Sequence, residues 1–257
     1  MPLLELLEFI PIIFCLSALF ALLGLGGAVI YVPLFYLMGM DLLVAIPLAL
    51  LLNLITAGSA SITYIQKKAT DFHTAFPIII MAVVGAPVGA YFSGILPEKT
   101  LILLFSITLV VTGLILIQSK EKKMNVHSIP LKKKIFFGSI LGFFIGVITG
   151  LLGLGGGSFI VPILLMLGYS TKEAPATSML VVTFSSLSGF LAHITDINIE
   201  LPFLAALCIT VLAGSQIGSR LMYTSKLGLD WRLKIHFRHI FGVLLLFIAL
   251  LLQYRTW

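Results

Sequence analysis

Runs of apolar residues without a single charge recur along the whole chain, each close to the ~20 residues that a bilayer-spanning helix needs. Ile78–Phe92 and Leu101–Gln118 are two of them. A chain of 257 residues has room for about ten such segments and almost nothing else. Apolar residues make up 60% of it and charged residues 10%, against roughly 45–50% and about 25% in soluble domains. This excludes a soluble catalytic domain.

Met1–Phe20 lacks a basic start and carries Glu5 and Glu8, so it reads as a retained membrane segment and not as a cleaved signal. Cys15 and Cys208 sit in apolar stretches, form no CxxC pattern, imply no metal, and read as packing residues. The net charge of +6 comes from positive residues gathered in loops that flank apolar segments. That is the pattern of membrane topology and not of nucleic-acid binding.

The chain repeats itself. Leu22-Leu-Gly-Leu-Gly-Gly-Ala-Val-Ile-Tyr-Val-Pro33 aligns with Leu151-Leu-Gly-Leu-Gly-Gly-Gly-Ser-Phe-Ile-Val-Pro162, at a spacing of 129 residues. The same spacing, without gaps, pairs Gly39 with Gly168, Ala45 with Ala174, Ser59 with Ser188, Gly85 with Gly214, Gly89 with Gly218 and Gly113 with Gly242. Leucine-rich composition alone does not hold glycines in register over so long a stretch, so the architecture is two copies of one unit. The first membrane repeat covers 1–118, a basic cytoplasmic linker 119–134, and the second repeat 135–257.

Each repeat reads as five apolar segments: 5–23, 28–39, 43–65, 74–92 and 99–118, then 135–152, 157–168, 173–194, 200–222 and 237–254. The second segment of each is too short for a ~30 Å hydrocarbon core, and reads as a broken or re-entrant helix behind a glycine-rich loop. The expected fold is an all-α integral membrane protein. Each repeat has about four full transmembrane helices plus that short helix. Basic residues fix the sidedness: Lys67 and Lys68, the run Lys120–Lys134, Lys172, and Arg220 with Lys226, Arg232 and Lys234 all belong in the cytoplasm. Five traverses per repeat satisfy all four groups. An odd number inverts one repeat relative to the other and places both termini outside.

Irregular backbone at membrane depth survives only where it is buried in protein or lines a cavity. Gly24, Gly26 and Gly27 in the first repeat, and Gly153, Gly155, Gly156 and Gly157 in the second, break the helix just ahead of a short helical segment. A helix start offers free N–H groups and partial positive charge, which suits an anion, and glycines let successive N–H groups turn inward. Ser158 adds a hydroxyl directly after the second loop. Gly85, Gly89, Gly214 and Gly218 read instead as close helix packing through small residues.

The third segments carry a seam of neutral polar groups: Asn53, Thr56, Ser59 and Ser61, then Thr177, Ser178, Thr183, Ser185, Ser186 and Ser188. Taken singly, such groups bond within or between helices; together they suggest a polar path beside the loops, with Asn53, Thr177 and Ser178 as candidate binding residues. Arg220 either snorkels at its helix end or attracts an anion. His193 reads as an interfacial or packing histidine, and Asp41 and Glu173 as turn and capping residues. Pro33 and Pro162 kink the short helices. No converging set of His, Asp, Glu or Cys marks an enzyme or metal site.

Two copies of G-L-G-G-[AG]-x-x-x-V-P, with Ala174-x-x-Thr177-Ser178, Gly214-x-x-x-Gly218-x-Arg220 and Arg238-x-x-x-Gly242, resemble the sulfite exporter TauE/SafE family of membrane permeases. The resemblance covers essentially the whole chain, with Ala28 a departure where the second repeat has Gly157. It implies a secondary transporter of the cytoplasmic membrane that moves sulfite or an organosulfonate, with export the expected direction, and it supplies the substrate class that composition does not. The expected partners are a small anionic substrate and membrane lipid, without cofactor or nucleic acid; a homo-oligomer is compatible with all of this. An anion channel with the same loops as its filter is the nearest alternative, and a membrane-embedded enzyme a more distant one.

Overall fold

The computed structural model describes residues 10–118, 131–194, 201–222 and 231–256. Ten helices are described and no strand among those residues. The first repeat contains α1 (Ile10–Leu23), α2 (Ala28–Leu37), α3 (Leu42–Gln66), α4 (Phe72–Ser93) and α5 (Glu98–Gln118). The second contains α6 (Leu131–Leu152), α7 (Gly157–Met166), α8 (Glu173–Ala192), α9 (Leu201–Leu221) and α10 (Trp231–Thr256). Six of these carry stretches long and apolar enough to cross a bilayer: α3, α4, α5, α6, α8 and α9. The short helices α2 and α7, ten residues each, rise only ~15 Å.

Local chemistry sets the boundaries. Asp41 accepts from the Leu43 amide at 2.9 Å to open α3, and Asp71 accepts from the His73 and Thr74 amides to open α4. Ser170 and Glu173 bond reciprocally ahead of α8, a capping box. Asp41 and Glu173 are therefore turn and capping residues, as read. Both short helices end in a left-handed glycine, Gly39 and Gly168, whose next residue bonds back five positions, Met40 to Phe35 and Tyr169 to Leu164. This Schellman closure is why those two glycines pair in the repeat.

Two sequence expectations need correction. Helix α6 begins at Leu131, so the last four residues of the expected linker are helical. Lysines oppose the dipole at a helix start, but Leu and Lys are good helix formers and the apolar run continues without a break. Cys208 is half-buried against the core, whereas Cys15 is exposed on the outer face and has no packing role. Residues 119–130, Glu5, Glu8 and Asp196 lie outside the described residues.

The repeats interlock. A Cβ on Gly85 or Gly89 of α4 would strike the carbonyls of Phe143 and Val147 on α6; one on Gly214 or Gly218 of α9 would strike those of Phe14 and Ala18 on α1. These contacts are equivalents of one another at the 129-residue spacing, so the first helix of each repeat packs on the fourth helix of the other. The packing reading of these four glycines holds.

Equivalent helices also meet directly. In α3 and α8, Gly189 packs on Leu50 and Gly58 on Thr183. In α5 and α10, Gly113 packs on Leu246 and Gly242 on Ile117, with each glycine against the other's carbonyl. Residue numbers run in opposite senses along both contacts, so each pair is antiparallel.

Candidate functional site

Both glycine loops need backbone that L-residues with a Cβ avoid, at a cost of roughly 1–2 kcal/mol per residue. Gly24 and Gly26 have φ of +72° and +73°, and Gly153, Gly155 and Gly156 have +73°, +70° and +79°. The chain leaves α1 or α6, turns through this left-handed stretch, and re-enters a helix as α2 or α7. Residues 24–28 and 153–158 are all buried.

The loops meet at one side chain. Asn53 of α3 stands between Gly26 and Gly155, its Oδ1 facing the first and its Nδ2 the second. Oδ1 accepts from the amides of Gly27 and Ala28 at 2.6 and 3.3 Å, while Nδ2 donates to Ser186 Oγ of α8 at 2.8 Å. Each loop also leans on the third helix of the other repeat: Gly24 on Pro175, and Gly153 on Ile46. The Leu25 carbonyl packs on Gly157 where a Cβ would sit. Both helix starts therefore converge on the middle of the α3–α8 crossing.

The polar seam divides into two sets. Thr56 and Thr183 bond the carbonyls four residues back, Leu52 and Met179. Ser59 and Ser188 bond Gln216 and the Val83 carbonyl across helices, and Ser61 meets Thr183 at 3.3 Å. These are the bland helix contacts. Ser185 Oγ reaches the Gly155 carbonyl at 3.3 Å, and Ser186 holds Asn53, so both belong to the loops. Ser158, Ser178 and Thr149 are fully buried with hydroxyls that have no partner among the described residues. An unsatisfied buried hydroxyl costs about 1–3 kcal/mol. Ser178 shares a helix face with Pro175 and Val182, which touch Gly24 and Gly26.

Two of the expected binding residues lie elsewhere. Thr177 Oγ1 accepts the Asp71 amide at 3.0 Å, tying α8 to the α3–α4 turn. Arg220 is exposed in the last turn of α9. Its neighbour Ser219 bonds Thr63, some ten residues and therefore ~15 Å along α3 from Asn53.

Some residues the sequence did not single out matter here. Tyr169 donates to Asp71 Oδ2 at 2.6 Å and meets Thr74 Oγ1 at 2.5 Å. Burial first, and the Asp71 carboxylate second, push the Tyr169 hydroxyl well above its usual value. Nothing in the repeat pointed to this, since the equivalent of Tyr169 is Met40. Nothing in it pointed to Thr149 either. Tyr64 did carry a signal: it is the equivalent of His193 at the 129-residue spacing, and both carry a donor on a ring. His193 is 2% exposed and is a packing histidine.

Among the described residues no cluster of His, Cys, Asp and Glu is arranged to hold a metal ion. A groove of about 510 Å³ runs between Phe72, Phe76, Ile80 and Ile135 on the outer face of α4 and α6, away from the glycine loops.

A family profile described as Sulfite exporter TauE/SafE matches residues 9–252. The "Probable membrane transporter protein YunE" of Bacillus subtilis is 27% identical over 223 residues, covering 77% of this chain and 82% of its own. The "Probable membrane transporter protein y4hK" of Sinorhizobium fredii is 27% identical over 209 residues, covering 80% and 83%. The "Probable membrane transporter protein YdhB" of Bacillus subtilis is 25% identical over 224 residues, covering 82% and 88%.

Proposed function

The chain belongs to the sulfite exporter TauE/SafE family and is a multi-pass membrane transporter, and we propose that it is a secondary carrier exporting a small sulfur-containing anion, sulfite or an organosulfonate, across the cytoplasmic membrane. The convergence of both glycine loops on Asn53 carries this reading. Two short helices begin there, at the centre of an apolar bundle, and their dipoles and amides favour negative charge. The site residues are Gly24, Gly26, Gly27, Asn53, Gly153, Gly155, Gly156, Gly157, Ser158 and Ser178.

The antiparallel pairing of α3 with α8 and of α5 with α10 supports repeats of inverted topology, the arrangement in which two halves rock about a fixed midplane site. Sidedness follows from the basic residues. Thr63 bonds Ser219, and the Asp71 amide bonds Thr177, so the ends bearing Lys67, Lys68, Lys172 and Arg220 gather on one side of the bundle. That side is the cytoplasmic one by the positive-inside rule. With the loops buried, the substrate has to wait for one side or the other to open, which supports the carrier reading.

The test is sulfite efflux from proteoliposomes holding the purified protein, with sulfate, thiosulfate and taurine as competitors. Saturable efflux, accelerated by anion on the opposite side, is expected. Sulfite flux no faster than in empty liposomes, with a competitor moving instead, would discard the substrate and keep the transporter.

A further inference from the structure

The two repeats open their short helices differently. At α2, Gly27 enters the helix right-handed with φ of −81°, and the amides of Gly27 and Ala28 both donate to Asn53 Oδ1. At α7, Gly156 is left-handed, and the amides of Gly157 and Ser158 have no acceptor among the described residues. The equivalent of Asn53 here is Val182. Its methyls pack on Gly26 and Gly157 and accept nothing.

Two further donors stand at the α7 start. Ser158 Oγ lies in its first turn, and Thr149 Oγ1 points at Gly156, 3.3 Å from where a Cβ would be. Both side chains are fully buried and both hydroxyls are without partners. The first repeat has Val29 and Phe20 at the corresponding places. One helix start thus carries a bonded acceptor, the Asn53 carbonyl, with the unpartnered Tyr31 hydroxyl beside Gly27, while the other collects two amides and two hydroxyls without a hydrogen-bond partner among the described residues, the Leu25 carbonyl packing beside Gly157.

The charge available there is small. Helices α1, α2, α3 and α7 contain no Asp, Glu, Lys, Arg or His. Glu173 stands in the first turn of α8, and His73 and Arg220 at the outer ends of α4 and α9. Lys132, Lys133 and Lys134 begin α6, some fifteen residues before Thr149. His193 of α8 meets the Gly150 carbonyl, one residue from Thr149, with Nε2 at 2.8 Å, and α5, which also packs on α7, opens with Glu98 and Lys99. An anion at the α7 start is held by neutral donors and a partial charge of about one half. Desolvation grows with the square of the charge, so a dianion costs about four times what a monoanion does, while its attraction to those donors only doubles.

We propose that the α7 start is the anion seat of this transporter. It takes one monovalent sulfur oxyanion, a sulfonate or hydrogen sulfite, in preference to a dianion such as sulfate, and Asn53 fills the equivalent place at α2. This rests on the reading that the glycine loops hold the substrate. Because sulfite titrates near neutral pH, the seat selects its protonated form.

The experiment is calorimetric titration of the full chain in nanodiscs at pH 7.5 with methanesulfonate, a fixed monoanion, and with sulfate, a fixed dianion. Wild type and the double variant S158A/T149V are compared, with melting temperatures measured without ligand. We expect methanesulfonate to bind at a stoichiometry of one and at least about tenfold more tightly than sulfate. The double variant should lose at least about tenfold in methanesulfonate affinity and melt no earlier than wild type, since it removes two unsatisfied hydroxyls. Sulfate binding as tightly as methanesulfonate overturns the valence selection. Unchanged affinity in the double variant moves the anion away from α7 and overturns the seat, with the transporter reading intact. Binding of neither anion to wild type overturns both.

Discussion

His193 Nε2 lies 2.8 Å from the Gly150 carbonyl oxygen, and at the equivalent place in the other repeat the Tyr64 hydroxyl donates to the Ala21 carbonyl. Both carbonyls belong to the last turn before a glycine loop, where a helix has no amide left to offer them. Two different rings do one job: each ties a third helix to the end of a first helix and so fixes where the loop starts.

Replacing His193 by Phe keeps the ring and removes the donor. The Gly150 carbonyl is then buried without a partner, which costs about 1–3 kcal/mol. H193Q keeps a donor and should retain most of that stability. Denaturant unfolding in micelles separates the two; equal losses in H193F and H193Q would show that ring volume, and not the bond, is what matters.

The crossed packing makes a symmetric forecast. Gly89 lies on the Val147 carbonyl and Gly218 on that of Ala18. Backbone cannot move aside as a flexible side chain does, so G89A and G218A should each cost about 1–3 kcal/mol or more and lower the yield of folded protein to a similar degree. G39A is the contrast: its Cβ meets open space, leaving only the left-handed backbone cost of roughly 1–2 kcal/mol. A G89A protein as stable as wild type would break the interlocked arrangement.

Tyr169 predicts a pH dependence. Its hydroxyl is pushed up by burial and by Asp71, so the native state holds a neutral phenol where the unfolded chain, with the ordinary value near 10, ionises. The stabilisation is complete below that value and is lost as pH rises above it. Wild type should therefore out-melt Y169F by a constant margin between pH 7 and 9, and that margin should shrink from about pH 10 upward. Melting curves across pH 7–11.5 check this. A margin that grows with pH would mean the bond to Asp71 does not hold the α7–α8 turn.

How much of this was legible follows from symmetry. The glycine register gave the two units, the short second segments and the close-packing glycines, because each constraint is local and appears twice. Boundaries came within a few residues wherever a cap or a left-handed glycine marked them, as at Asp41, Gly39 and Gly168. What stayed hidden breaks the symmetry. Asn53 was visible as a polar residue, but its place between both loops depends on the antiparallel crossing of α3 and α8. Tyr169 with Asp71 joins residues 98 apart with no counterpart in the other repeat. Thr177 and Arg220 matched family motifs, yet one bonds a turn and the other sits at a helix end, since motif spacing carries no depth.

The last test addresses the loops. A Cβ at Gly26 would stand 2.9 Å from Asn53 Oδ1 and 3.3 Å from Val182, whereas one at Gly155 would collide with Asn53 Nδ2 more severely. Both positions also have φ near +70°, so alanine at either adds roughly 1–2 kcal/mol of backbone strain. G26A should slow sulfite efflux, and G155A should slow it further, because it displaces the carboxamide that joins the loops. Both proteins should still insert, since these two glycines meet side chains and not the backbone of a neighbouring helix, as Gly89 and Gly218 do. Efflux per inserted molecule, counted by quantitative labelling, is the measurement. If G155A transports as well as wild type, the Asn53 junction is scaffolding and the anion path runs elsewhere in the bundle.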